Sequence, residues 1–239
     1  MPVEQWAYAA AVLVVAFLVR GASGFGSGLV AIPLLAAVWP LQRVVPVIAL
    51  VTAVASLGLG LKERHRIRWG QFARIAAGIA LGVAVGVPLL SLAHPAVLRR
   101  ILGVLVAAYA LYRLAGRRIR AGSRIAAPLL AVCGGVIDTI FGIGGPLFVI
   151  ALSLDEPDKA TFRATISVVL LTDLVFRLAA YGATGLIGTG DLVLAALALP
   201  CMGLGMVLGH RLHGAIRQRT FEVLVTGLLV ASGAYLILT

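Results

Sequence analysis

The sequence predicts an all-α fold. It is a polytopic membrane protein of about eight transmembrane helices in two duplicated halves, each half beginning with a glycine-broken helix. Three observations carry this. The chain of 239 residues is 61% hydrophobic and only 12% charged, against roughly 45–50% and about 25% in soluble proteins. The apolar residues fall into runs long enough for the ~20 residues that a crossing needs. Two such runs, half a chain apart, are interrupted by glycine and proline. The first is Arg-Gly-Ala-Ser-Gly-Phe-Gly-Ser-Gly-Leu-Val-Ala-Ile-Pro at 20–33, and the second is Gly-Gly-Val-Ile-Asp-Thr-Ile-Phe-Gly-Ile-Gly-Gly-Pro at 134–146. Glycine and proline open the helical hydrogen-bond ladder. In lipid, the freed backbone groups must be covered by protein or face a wet cavity. A matched pair of interrupted segments in the two halves marks a transporter's binding site.

The elements follow in order. Residues 6–39 are too long for one straight crossing and short for two, so a broken helix or a helix plus re-entrant segment fits. Residues 44–61 form the second span, ended by the basic run 62–68. Residues 72–92 and 96–112 are the third and fourth, and a basic loop at 113–124 closes the first half. The second half opens with 125–154, broken at 134–146. A polar loop at 155–159 follows, then spans at 164–181, 191–208 and 221–238. The repeats are 1–116 and 125–239, four spans each, within a single integrated transmembrane domain. Three matches recur in the same order: Phe25-Gly-Ser-Gly28 with Phe141-Gly-Ile-Gly144, Gly82/Gly86 with Gly205/Gly209, and Val104-Leu-Val106 with Val223-Leu-Val225. Ordered recurrence points to internal duplication. Four spans per half make the repeats parallel; counting each break as a further crossing inverts them.

The net charge of +11 does not indicate nucleic acid. The arginines sit in short gaps between apolar runs, where loops meet anionic headgroups. The densest basic clusters share a side with both termini, which leans toward cytoplasmic termini. Cys133 and Cys201 stand in apolar segments without metal spacing and read as small buried hydrophobes. No basic residue precedes the first apolar run, so residue 6 onward reads as a retained span rather than a cleaved leader. His210-x-x-His213 has ligand-like spacing but no carboxylate or cysteine beside it. No metal, no cofactor and no Walker-type ATP site is expected.

At the glycine segments the chain resembles the sulfite exporter TauE/SafE family of membrane permeases. The resemblance rests on the glycine-rich run ending in proline early in each half and on Ala49-Leu-Val-Thr52 leading to His65-Arg-Ile-Arg-Trp69. It continues with Phe162-Arg-Ala-Thr165, Tyr181-Gly-Ala-Thr-Gly185, Leu199-Pro200 and the glycines from Gly203 to Gly209. It covers nearly the whole chain. Asp138 departs from the pattern, standing where a small residue is expected. The resemblance implies a multi-pass plasma (inner) membrane carrier of small sulfur-containing anions, sulfite or organosulfonates.

Several side chains suit such chemistry. Asp138 lies inside an apolar span, where an ionised carboxylate costs about 2.5–3.5 kcal/mol on insertion scales. It reads as a proton-coupling acid or as a structural cap of the broken helix. Asp173 and Arg177 are spaced i, i+4 on one helix face; a structural pair is the first reading, and a pair broken and remade by anion or proton the second. Arg20 abuts the first break with a fork suited to oxyanions, or snorkels to a headgroup. Arg163, at a span edge, snorkels by preference. Ser23 and Thr139 lie inside the breaks, with Thr52, Ser56, Thr165 and Ser167 as further neutral donors. The amides of Gly24, Gly26, Gly28, Gly142, Gly144 and Gly145 complete the expected substrate-binding set, because half-helix N-termini favour anions.

The expected function is a secondary transporter moving a small sulfur-containing anion, coupled to protons through Asp138. In this reading the two breaks meet near the midplane, and the partners are a small anionic substrate and membrane lipid. An anion channel and an accessory membrane subunit without its own solute are the alternatives. A membrane-embedded enzyme is disfavoured, since no paired catalytic acids and no nucleophile–base set are present.

Overall fold

The structure, a computed structural model, describes residues 3–24, 26–56, 67–114, 126–154, 158–212 and 218–238. Among them are ten α-helices and no strand: α1 (Val3–Ser23), α2 (Ser27–Ala36), α3 (Leu41–Ser56), α4 (Trp69–Leu92), α5 (Pro95–Leu114), α6 (Ala126–Phe141), α7 (Gly145–Ser153), α8 (Lys159–Ala183), α9 (Thr189–Leu212) and α10 (Gln218–Leu238). Over their described residues the predicted spans fall on helices, with 57–61 of the second span outside the described residues, and the two broken segments become the pairs α1/α2 and α6/α7. Five helices, α1, α4, α5, α8 and α9, are long and apolar enough to cross a membrane. The 24 residues of α4 extend about 36 Å at 1.5 Å per residue, more than the ~30 Å hydrocarbon core. By contrast, α2 has 10 residues and α7 has 9, roughly half a crossing each. Most of the loop at 113–124, of the basic run 62–68 and of the loop 155–159 lies outside the described residues, and 113–114 belong to α5.

The breaks are narrower than the glycine runs. Helix α1 continues through Gly21 to Ser23, and Pro33 sits inside α2. Helix α6 continues through Gly134 and Gly135 to Phe141, and Pro146 falls in the first turn of α7, where its missing N–H costs nothing. The turns that interrupt the chain are Gly24 and Gly26 (φ 85° and 94°) and Gly142 (φ 63°), left-handed conformations that glycine alone adopts without penalty. Gly21, Gly134 and Gly135 stay helical and lie against close neighbours instead.

The helices gather into two compact units, each drawing on both halves of the chain. The first comprises Met1–Thr52, Ala93–Arg117 and Gly188–Thr239; the second comprises Ala53–Leu92 and Arg118–Ile187. In the first unit α1 lies along α9, α2 follows α1 and touches α5 and α10, and α5 packs on α10. Arg43 Nε meets Asp191 Oδ1 at 3.1 Å and ties α3 to α9. Asp191 also accepts the Gly188 N–H at 3.0 Å, capping the start of α9. In the second unit α4 lies along α6 and against α8, and α7 packs on both α6 and α8. Asp158 caps α8 by accepting from the Thr161 N–H at 2.9 Å.

Both units contain close helix approaches at glycine. A Cβ on Gly82 of α4 would stand 2.5 Å from Val132 O and 2.8 Å from Gly135 Cα of α6. One on Gly205 of α9 would stand 2.5 Å from Val14 O of α1. Without side chains the backbones come together, and in lipid dispersion between them replaces the hydrophobic effect as the source of stability. Gly205→Ala should therefore lower stability by roughly 1–3 kcal/mol, read as thermal unfolding of the detergent-solubilised protein. Gly203→Ala on the same helix, with no atom within 4 Å, should leave it unchanged. The outward sides of α4 (Leu81, Val85, Leu89) and α9 (Leu197, Leu204, Val207) are exposed and apolar, as surfaces meant for lipid.

Candidate functional site

The most heavily built site lies in the second unit, where α6 stops and α7 begins. Its floor is a buried stripe down α8. Thr165, Val169, Asp173, Arg177 and Tyr181 recur every four residues, a row that winds slowly round the helix, and all five are buried. Asp173 and Arg177 pair along it, Nε to Oδ2 at 2.8 Å.

Arg177 also reaches α6. Its Nη2 lies 3.0 Å from Asp138 Oδ2, and its Nη1 donates to the Asp138 carbonyl at 3.0 Å. The Tyr181 hydroxyl donates to the next carbonyl, that of Thr139, at 2.6 Å. Two donors from α8 thus cover carbonyls at the C-terminal end of α6, groups that an ending helix leaves open and that lipid cannot satisfy. The Asp138 carbonyl accepts the Gly142 N–H as well, at 2.8 Å. Across the break, Asp138 Oδ1 accepts the Gly144 N–H at 2.7 Å, a carboxylate at the positive end of α7. One guanidinium serves two carboxylates, all three groups sitting among apolar helices. Asp173 Oδ1 is buried and accepts no hydrogen bond from any described residue.

The first break, in the other unit, carries the opposite charge. Arg20 stands in the last turn of α1, half-buried, with Nη1 3.4 Å from the Ser27 hydroxyl. Ser27 opens α2 and is buried. Gly24 is exposed and Gly26 and Gly28 half-buried. A Cβ on Gly24 or Gly26 would meet no atom of the described residues within 4 Å, so these residues leave the rim of the break open. The Ser23 hydroxyl is exposed and donates to the Val19 carbonyl at 2.7 Å, and the Gly24 N–H bonds the Arg20 carbonyl at 2.6 Å.

The structure brings Asp138, Thr139, Gly142, Gly144, Asp173 and Arg177 together at the second break, with half-exposed Gly145 opening α7. The Thr139 hydroxyl is turned onto its own helix, donating to the Gly135 carbonyl at 2.7 Å. The remaining residues stand apart. Thr165 is buried on α8 with Oγ1 3.4 Å from the Arg68 N–H. Arg163 is exposed near the start of α8, and Thr52 lies on α3. Tyr181 is the member that sequence reasoning missed as a site residue, although its place one turn beyond Arg177 was a usable signal. Cys133 corrects the buried reading, being exposed on α6. An apolar cavity of about 110 Å³ in the first unit is lined by Trp6, Leu13, Trp39, Val47, Leu197 and Arg43 among others. Its one cation is engaged by Asp191.

Comparison with known proteins points to membrane transport. The chain is 28% identical over 199 residues to a Comamonas testosteroni protein described as probable inner membrane transporter protein TsaS, covering 78% of this chain and 79% of that one. No solved structure matches. The sequence profile described as "Sulfite exporter TauE/SafE" matches residues 8–236. With five helices fit to cross a bilayer and a profile match from one end to the other, the chain is a membrane transporter belonging to the sulfite exporter TauE/SafE family.

Proposed function

We propose that the protein is a secondary transporter of a small sulfur-containing anion, sulfite or an organosulfonate, resident in the plasma (inner) membrane and coupled to protons. The observation that carries this reading is the contrast between the breaks. One presents a guanidinium and an open rim; the other holds two carboxylates on one arginine inside the apolar interior. A cationic break attracts the anion, and a buried acidic cluster is the usual seat of proton relays. Arg20 supplies the fork for a sulfonate or sulfite oxygen, with Ser23, Ser27 and the α2 N-terminus at Gly26 and Gly28 as neighbouring donors. Asp138, Asp173 and Arg177 form the coupling cluster, and Thr139, Gly142, Gly144 and Gly145 beside it are the second half of the substrate-binding set. Thr52, Thr165 and Arg163 stay in supporting positions. The chain works by moving a solute, with no reaction and no cofactor.

The eight-span, two-repeat organisation belongs to the same proposal. Its support is that each broken helix packs through glycine on the third span of the opposite half: α1 on α9, and α6 on α4. The repeats run 1–116 and 125–239.

Flux into proteoliposomes of the purified full chain tests the substrate class. Labelled sulfite, methanesulfonate and taurine are compared with sulfate, phosphate and chloride. Uptake confined to sulfite or the sulfonates supports the reading; equal passage of chloride favours a channel, and no uptake favours an accessory subunit. Within that assay, Arg20→Ala should raise the half-saturating anion concentration about tenfold or more, the loss of one charged hydrogen bond of about 1.5–3 kcal/mol. Arg20→Lys should recover part of it. An unchanged half-saturation in Arg20→Ala removes Arg20 from recognition.

A further inference from the structure

The two carboxylates of the cluster differ in what a proton would have to displace. Asp138 has both oxygens in use: Oδ1 holds the Gly144 N–H at 2.7 Å, and Oδ2 faces Arg177 Nη2 at 3.0 Å. Each partner is a donor drawn to the carboxylate charge, so a proton on either oxygen weakens two bonds that shape the break. Asp173 spends only Oδ2, on Arg177 Nε at 2.8 Å. Its Oδ1 is buried without a donor among the described residues, in a side chain 1% exposed. A buried polar atom left in that state is costly, and a proton there breaks nothing.

Among the described residues, the elements packed around Asp173 bring only Asp138, Arg177 and Tyr181 to it as titratable groups. On α8 the facing groups are Arg177 and Tyr181, and the Tyr181 hydroxyl is given to the Thr139 carbonyl. On α6 there is Asp138. Helix α7 carries no titratable side chain, and α4 carries only Arg74, which is exposed.

We propose that Asp173 carries the coupled proton, on Oδ1, and that Asp138 is the positioning residue that ties this event to the break. The inference rests on the proton-coupled reading above. The sign of coupling follows from charge. With both carboxylates ionised, the cluster holds one negative charge more than Arg177 offsets. An anion approaching the α7 N-terminus meets that surplus beside it. A proton taken from water onto Asp173 Oδ1 forms an O–H, leaves Asp138 and Arg177 as a balanced pair, and removes the repulsion. Proton and anion therefore favour one another's binding, and linkage makes the effect reciprocal. They travel in the same direction, and release of the anion frees the proton to the same side.

Two measurements on the full chain test this. In infrared difference spectra of the protein in lipid, acidification of wild type should raise a protonated-carboxyl C=O band. The band should vanish in Asp173→Asn and move in frequency in Asp173→Glu. A band that persists unchanged in both variants overturns the assignment. In proteoliposomes the probe is labelled methanesulfonate, a permanent anion that carries no proton of its own, or whichever sulfonate the substrate panel selects. An outside-acid gradient should drive accumulation in wild type. Asp173→Asn, locked in the neutral form, should still exchange anion for anion but lose gradient-driven accumulation by about tenfold or more, within the 5–150-fold span usual for coupled sites. If Asp173→Asn accumulates as well as wild type, Asp173 is not the carrier although coupling stands. A wild type indifferent to the gradient overturns the coupled reading itself, and this one with it.

Discussion

Arg177→Ala is expected to be among the most damaging single substitutions in the second unit. Arg177 is 9% exposed in its side chain and holds Asp138 and Asp173 together. Removing it strands two carboxylates in an apolar interior and releases the Asp138 carbonyl at the end of α6. Breaking a buried pair by deleting one partner costs about 3–5 kcal/mol. The expected result is a large fall in thermal stability and in the yield of monodisperse protein from detergent. Removing the whole cluster should be far milder, because a buried ionic group replaced entirely by neutral side chains is often tolerated. A triple variant, Asp138→Asn with Asp173→Asn and Arg177→Leu, keeps an oxygen for the Gly144 N–H and strands no charge. It should regain most of the stability and none of the gradient-driven transport. Wild-type stability in Arg177→Ala would mean that the cluster is not held as described.

The second large effect is expected at Gly144. A Cβ there would run into the Gly134 carbonyl and stand 2.6 Å from Asp138 Cβ and 2.8 Å from the Asp138 nitrogen. These are atoms of α6 itself, and no side-chain rotation relieves them. Overpacking costs typically about 1–3 kcal/mol and more where only backbone can yield, so Gly144→Ala should lie at or beyond the top of that range. It should also pull the Gly144 N–H off Asp138. The first break answers differently. Gly24→Ala meets open space, and its cost is the left-handed backbone alone, roughly 1–2 kcal/mol. Thermal unfolding of the two variants beside wild type checks the order; a Gly24→Ala protein less stable than Gly144→Ala would contradict the geometry of both breaks.

The helical segments were legible because an apolar run of crossing length admits little else in lipid, where every backbone group must be satisfied within the chain. The limits of the breaks were less so. Gly21, Gly134 and Gly135 look the same in sequence as Gly24 and Gly142, yet they remain helical. Their role shows only in what lies opposite: Gly21 faces the Met206 carbonyl, Gly134 the ring of Phe148, and Gly135 the backbone of Ile79 and Gly82. Pro33 likewise reads as a breaker but stays within α2.

The site divides along the same line. The Asp173–Arg177 pair is local, and i, i+4 spacing announced it. Tyr181 continues that spacing and was available to the same argument. The meeting of Arg177 with Asp138 is a contact between α8 and α6, 39 residues apart in the chain, and no local pattern encodes it. The inequality of the two carboxylates is more remote still. It depends on Gly144 N–H arriving at Asp138 Oδ1 through the left-handed turn at Gly142.

The central claim is that a proton and an anion pass through this chain together. The most direct test is a pH-sensitive dye trapped inside proteoliposomes of the wild-type protein, with the membrane potential clamped. Methanesulfonate is added outside with no pH gradient. The account predicts prompt acidification of the lumen that saturates with anion concentration and is missing in Asp173→Asn. Anion entry with an unchanged lumenal pH, or with alkalinisation, would contradict it.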